Sequence, residues 1–284
     1  MISQTTGAVI NIIFDPIMIF GLFGFPKLGV AGAAYATVLG QTIAAIIGLM
    51  LHLKKNREIT FSIISILRPR ADIIKDIYFV GVPSILMMSI GSAMTYMMNQ
   101  ILKTFSNTAI AVFGVYFRLQ SFFFMPVFGL NNGLIPVLAY NYGARNRERI
   151  QEALRFAMVL AMSIMAVGTL VFELIPVQLL GLFNASDEML RIGVPALRII
   201  CLSFIVAGAC IAMGSIFQAF SQSYYSLIVS IGRQLVVLIP VAYLLSMLGD
   251  VTLVWWAFPI AEIVSLILSV IFFRRLYART VQNM

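Results

Sequence analysis

Asn11 and Asp15 are the residues of this 284-residue chain whose types and spacing most readily carry chemistry. On one helix, positions i and i+4 lie on the same face about one turn apart, so an amide oxygen and a carboxylate converge on one point. Pro16 follows directly and removes the backbone amide that would bond the carbonyl of Ile12. A carboxylate, an amide oxygen and a freed carbonyl in one small volume suit a proton or a hard monovalent cation. The same groups also serve as a helix-bundle hydrogen bond beside a kink, and the residues alone leave both readings open.

Other polar residues interrupt long apolar runs: Arg118, Arg191, Arg198 and Glu262, with Asn99, Asn131 and Asn132 as neutral companions. A charge in an apolar span costs a few kcal/mol or more unless paired or hydrated. Arg198 therefore calls for a structural partner, and Glu262, of opposite sign in a different run, is the expected one. Arg118 and Gln120 sit amid Tyr116, Phe117, Phe122, Phe123, Phe124 and Met125, before Pro126. With Tyr96, Asn99 and Arg198 they make a candidate cavity for flat apolar cations, although an aromatic run of this kind also serves plain packing. Met87, Met88, Met94, Met97 and Met98 give the preceding helix an adaptable surface for ligand, lipid or core.

Several chemistries lack parts. His52 is the one histidine and lies at a helix end, so neither a zinc cluster nor a serine–histidine hydrolase can be assembled. Cys201 and Cys210 are nine residues apart on one predicted helix. That separates them by about 13.5 Å of rise, too far for a disulfide. No cofactor is called for, and no metal beyond Na+ at Asp15.

The elements that must position these groups are membrane helices. Hydrophobic residues make up 61% of the chain and charged ones 11%, against about 25% charged in a soluble domain. The apolar residues fall in blocks of about 20 to 30, each able to cross about 30 Å of hydrocarbon. Eight helices are predicted, near residues 7–24, 29–52, 74–102, 107–140, 149–175, 188–218, 223–247 and 251–276, so the fold class is an all-α polytopic membrane protein. Polar or Gly/Pro punctuation separates them, as at Gly24-Phe25-Pro26-Lys27, Thr104 to Asn107, Asn184 to Asp187 and Ser221 to Ser223. The stretch 54–76 is the longest polar one and is predicted to link two groups of helices, 1–53 and 77–284. Within it the apolar heptapeptide Phe61 to Leu67 is predicted to lie in the membrane interface. The start is no signal peptide, because no basic segment precedes Val9 and Asp15-Pro16 interrupts the run. Met1 leads almost directly into a helix, as a truncated chain would.

The formal charge of +8 admits a nucleic-acid partner in principle, and the placement of the basic residues argues against one. Fourteen of nineteen fall at alternate helix ends, in 54–75, 145–155, at Arg233 and in 274–279, with Lys27 and Lys103 on the other side. This is the positive-inside asymmetry. It predicts a multi-pass protein of the inner (plasma) membrane with both ends of this chain cytoplasmic, and membrane lipids rather than nucleic acid as its surroundings.

The segment Thr6 to Gly21, containing Asn11, Asp15 and Pro16, followed by Phe25-Pro26-Lys27-Leu28-Gly29-Val30-Ala31-Gly32, resembles helices five and six of the multidrug and toxic compound extrusion (MATE) family. Gly81-Val82-Pro83-Ser84, Asn141-Tyr142-Gly143-Ala144, Ala196-Leu197-Arg198-Ile199 and Phe258-Pro259-Ile260-Ala261-Glu262 resemble its second lobe in the expected order. The resemblance covers nearly the whole chain. It implies a two-lobe, twelve-helix transporter of which helices five to twelve are present, with 1–53 closing the first lobe and 77–284 forming the second. An internal echo at an offset near 221 residues agrees: Val30 meets Val251, Ala36 meets Ala257, Gln41 meets Glu262 and Lys54 meets Arg275.

By that resemblance the protein is a secondary active efflux antiporter, monomeric at full length, that exports amphipathic or cationic drugs and toxins in exchange for H+ or Na+. Asn11 and Asp15 match the helix-five members of the family's first-lobe cation site, and Ala33 or Thr37 is the nearest match to a small or hydroxyl residue of helix six. The site's helix-one acid has no counterpart in this chain. A second-lobe sodium site, which another branch builds from acids in helices seven and ten, is not expected, since neither matching helix carries an acid at that depth. The alternatives are a lipid-linked-precursor flippase, whose cavity would be lined by arginines such as Arg118, Arg191 and Arg198, and an inactive fragment or membrane scaffold. An intramembrane enzyme lacks a nucleophile and base pair.

Overall fold

A computed structural model describes residues 2–55 and 70–280, which form two compact units, 1–70 and 71–284. The first unit is a helical hairpin of α1 (Ile2–Phe20) and α2 (Val30–Lys55). The reversal between them needs left-handed backbone at Gly21, with φ of 73°, where a Cβ would meet Lys27 N and Phe25 O at 2.9 Å. Only glycine satisfies both conditions. The amides of Leu28 and Gly29 then bond back to the carbonyls of Met18 and Ile19, which close the end of α1.

The two helices of the hairpin meet along a seam of small residues. In α2, Gly32, Ala36, Gly40, Ala44 and Gly48 recur every four residues. Across from them a Cβ on Gly7 would stand 2.8 Å from Ala44 Cβ, and one on Gly40 would stand 2.8 Å from Gly7 O. Gly7, Gly32, Ala36 and Gly40 are the buried residues among those described in this unit, and all lie in this seam. Small side chains let the backbones approach closely enough for van der Waals packing to hold them without a hydrophobic drive. Ser3, Gly7, Asn11 and Asp15 repeat at the same interval along α1, so packing turns Asn11 and Asp15 toward α2.

The second unit contains α3 (Ala71–Lys103), α4 (Asn107–Gly143), α5 (Arg147–Leu174), the short α6 (Pro176–Gly181), α7 (Asp187–Cys201), α8 (Phe204–Ala219), α9 (Ser223–Ile231), α10 (Ile239–Ser246), α11 (Val251–Val254) and α12 (Ala257–Thr280). The predicted punctuation supplies caps: Ser106 and Ser186 accept from the amides of Ala109 and Met189, and Asn146 accepts from Arg149. Among the described residues, six helices are long and apolar enough to cross a membrane, seven when α7 and α8 are counted as one broken span. The 33 residues of α3 add a further helix of spanning length. All eight predicted helices are present in an all-α polytopic fold. The expected interfacial heptapeptide 61–67, like most of the predicted linker, lies outside the described residues, as do the side chains of Met87 and Met88.

Two features depart from the straight helices expected. The predicted helix 188–218 is broken at Leu202 and Ser203, with a 46° bend between α7 and α8. Hydroxyls satisfy the carbonyls freed there: Thr169 Oγ1 donates to Cys201 O at 3.1 Å and Ser203 Oγ to Ile200 O at 2.7 Å. The span 223–246 passes through a π-helical segment, Gly232–Leu238, just before Pro240. Proline donates no backbone hydrogen bond, and the wider register accommodates that loss. The core lies among α4, α5, α7, α8 and α12, built on Phe113, Phe172, Phe204 and Trp255, each at most 1% exposed.

Candidate functional site

In the first unit the hairpin brings the predicted cation-site residues together. Asn11 Nδ2 donates to Asp15 Oδ1 at 3.3 Å within α1, and to Thr37 Oγ1 at 3.2 Å across the seam. Turning the amide over keeps both contacts: Nδ2 then donates to Asp15 Oδ2 at 3.2 Å, and Oδ1 accepts from the Thr37 hydroxyl at 3.2 Å. Thr37 Oγ1 also lies 2.9 Å from the Ala33 carbonyl, so Ala33 enters the cluster through its backbone. The α1 helix runs unbroken through Pro16, and the Asn11 amide bridges carboxylate and hydroxyl. Asp15 and Asn11 are half-buried and Thr37 is exposed. Asn11 is the hydrogen-bond partner of Asp15 among the described residues, which leaves the second carboxylate oxygen free to accept.

The second unit encloses a cavity of about 700 Å³ between α3, α4, α8, the π segment and α12. Tyr96, Asn99 and Gln120 line it, as predicted. Arg118, Met125 and Arg198 do not: all three are exposed, Met125 to 70%. Helical periodicity explains the split, because Arg118 and Gln120 are two residues apart and lie on different faces of α4. The aromatic run divides the same way. Phe117 and Phe124 line the cavity, Tyr116 is buried at its wall, Phe122 is 77% exposed, and Phe123 packs edge-on to Phe172.

The ion pairing differs from expectation. Glu262 pairs with Arg233, Nη1 to Oε2 at 3.0 Å, whereas Arg198 pairs with Glu173 at 3.6 Å near the helix break. Arg233 was counted with the cytoplasmic helix ends; the structure places it on the π segment inside the span 223–246. Depth would have identified the pair, because Arg233 and Glu262 lie ten and eleven residues into their predicted helices. Each is thus about 15 Å along its span, near the middle of the hydrocarbon. A second cavity of about 300 Å³ adjoins the first, sharing Arg233, Phe124 and Phe128, and is lined by Asn131, Asn132, Cys210, Ser226, Ser265 and Ser269.

A family model described as MatE matches residues 83–244. The chain belongs to the MATE family. Among MATE relatives, the multidrug export protein MepA of Staphylococcus haemolyticus is 30% identical over 269 residues, covering 95% of this chain and 58% of its own length. MepA of Staphylococcus saprophyticus is 30% identical over 262 residues, 92% of this chain and 56% of its own. Solved MATE structures superpose closely. A multidrug resistance MATE family transporter of the MOP superfamily in an outward-facing conformation gives a TM-score of 0.85 at 26% identity over the whole chain and 63% of its own. A MOP superfamily transporter from Pyrococcus furiosus, described as having a binding pocket of reversed polarity, gives 0.84 at 26% identity over 96% of this chain and 61% of its own. The chain thus spans somewhat more than half the length of the MATE proteins it matches, and it is a multi-pass membrane protein of their fold.

Proposed function

We propose that this MATE protein acts in secondary active efflux, exporting amphipathic or cationic drugs in exchange for H+ or Na+, with Asp15 as the coupling carboxylate. The observation that carries the reading is the Asp15–Asn11–Thr37 cluster, in which one amide ties a carboxylate of α1 to a hydroxyl of α2 at 3.3 and 3.2 Å. A half-buried carboxylate with one oxygen free to accept suits a proton or Na+. Binding either ion changes the charge at the α1–α2 seam, and with it the energy of arrangements that exchange the two sides of the membrane. The Staphylococcus relatives carry the name multidrug export protein, which supports the substrate class. The chain lies in the inner membrane with its basic helix ends cytoplasmic, and 1–53 and 77–284 belong to the first and second lobes of the transporter.

The flippase alternative asks for an arginine-lined cavity. Arg118, Arg191 and Arg198 are all exposed and none lines the cavities of the second unit, so the geometry favours export of drugs.

Ethidium efflux from proteoliposomes under an imposed proton or sodium gradient tests the proposal. The unaltered protein accumulates ethidium against its gradient. Asp15→Asn loses that ability while remaining inserted and folded. Unimpaired exchange by Asp15→Asn sinks the assignment.

A further inference from the structure

The interior of the second unit offers hydrogen-bond acceptors that the protein does not use. Among the described residues, five buried side-chain atoms have no partner; four are oxygens lining the two cavities, and the fifth, Trp255 Nε1, lines neither. In the larger cavity they are Glu262 Oε1 and Gln120 Oε1. Glu262 is 6% exposed and its other oxygen is held by Arg233 at 3.0 Å. The guanidinium thus fixes the carboxylate and leaves Oε1 as the acceptor on the cavity side. A buried acceptor without a donor is costly, and two in one cavity define what would satisfy both, namely a ligand that donates.

We infer that this cavity is a binding site for an aromatic cation bearing N–H donors, anchored on Glu262 Oε1 and Gln120 Oε1. Arg233 and Glu262 are the charged groups lining it, and as a pair they cancel, so the ligand adds one positive charge that the free oxygen of Glu262 faces. Tyr96, Phe117, Phe124 and Phe128 supply ring faces for a flat cationic body. The volume of about 700 Å³ falls within the usual range for small-molecule sites, roughly 300–1,000 Å³. An anionic ligand drawn to Arg233 would instead confront both unpartnered oxygens. Every group involved lies in the second unit, so the site stands apart from Asp15 and does not depend on its coupling role.

Equilibrium fluorescence titration of the purified 284-residue protein tests this with two probes of similar shape. Aminoacridine is a flat cation with N–H donors, and N-methylacridinium is a flat cation without them. The unaltered chain binds aminoacridine saturably and N-methylacridinium about tenfold more weakly, the scale of a lost hydrogen bond to a charged group. Glu262→Gln loses about tenfold or more in aminoacridine affinity, Gln120→Leu loses part of it, and Asp15→Asn retains it. Should Glu262→Gln alone fail to fold, the paired variant Arg233→Gln with Glu262→Gln removes both charges and is expected to lose the same affinity. No saturable binding by the unaltered chain, equal affinity for the two probes, or full affinity in the Glu262 variants overturns the inference.

Discussion

At the scale of single residues, the ionisable groups of the spans divide by whether they face a cavity, a seam or the outer surface. The Arg198–Glu173 pair has side chains 54% and 37% exposed and is worth at most about 1 kcal/mol. Arg118→Gln, Arg191→Gln and Arg198→Gln, made singly, should therefore leave ethidium exchange and thermal stability near the unaltered values, and a severe transport loss in any of them would revive an arginine-lined pathway. The Arg233–Glu262 pair behaves differently, because Glu262 is buried and the partner left behind has no second counter-charge among the cavity residues. Glu262→Leu alone should cost about 3–5 kcal/mol, and Arg233→Leu with Glu262→Leu considerably less. Denaturation of the two variants in detergent measures the difference, and equal losses would show that the pairing carries no weight. Asp15 and Asn11 could be read from their spacing and the following proline. Arg233 could not be read from its sign, since a basic residue near a polar loop looks like a topology signal until its distance from the helix start is counted.

Among the elements, the α1–α2 hairpin explains why Asn11 and Asp15 face Thr37. The seam of Gly7, Gly32, Gly40 and their neighbours is too close for larger side chains, and it fixes the rotation of both helices. Gly40→Val should force the helices apart, with a cost of about 1–3 kcal/mol from overpacking, and should weaken coupling without touching Asp15. Thermal melting and ethidium exchange of that variant together check this; a normal seam with normal coupling would argue that the close approach of 2.8 Å has no role. The positions and number of the helices were legible because each is a long apolar run between polar breaks. The π segment and the break after Cys201 were not. Neither Leu202 nor Ser203 is a helix breaker, and the bend depends on the hydroxyl of Thr169, 32 residues away. Likewise, the aromatic run of α4 showed that a cavity or a core was near, but which ring faces which depended on the neighbours of α4.

For the whole molecule, charge placement predicts orientation. In a background with Cys201→Ala and Cys210→Ala, Glu148→Cys should be labelled by a membrane-impermeant thiol reagent only from the cytoplasmic side and Leu248→Cys only from outside; the reverse pattern would overturn the topology. Energetics fit a coupled exchanger, because one elementary charge crossing 100 mV is worth about 2.3 kcal/mol, enough for a substrate gradient of roughly 50-fold. The central claim is that this work passes through Asp15. The most direct measurement is the ion flux evoked by drug: ethidium is added to proteoliposomes holding the protein, and H+ or Na+ movement is followed by an entrapped indicator. The unaltered protein should show an ion flux that begins with ethidium and scales with it, and Asp15→Asn should show none. An ethidium-evoked flux of full size in Asp15→Asn would contradict the account.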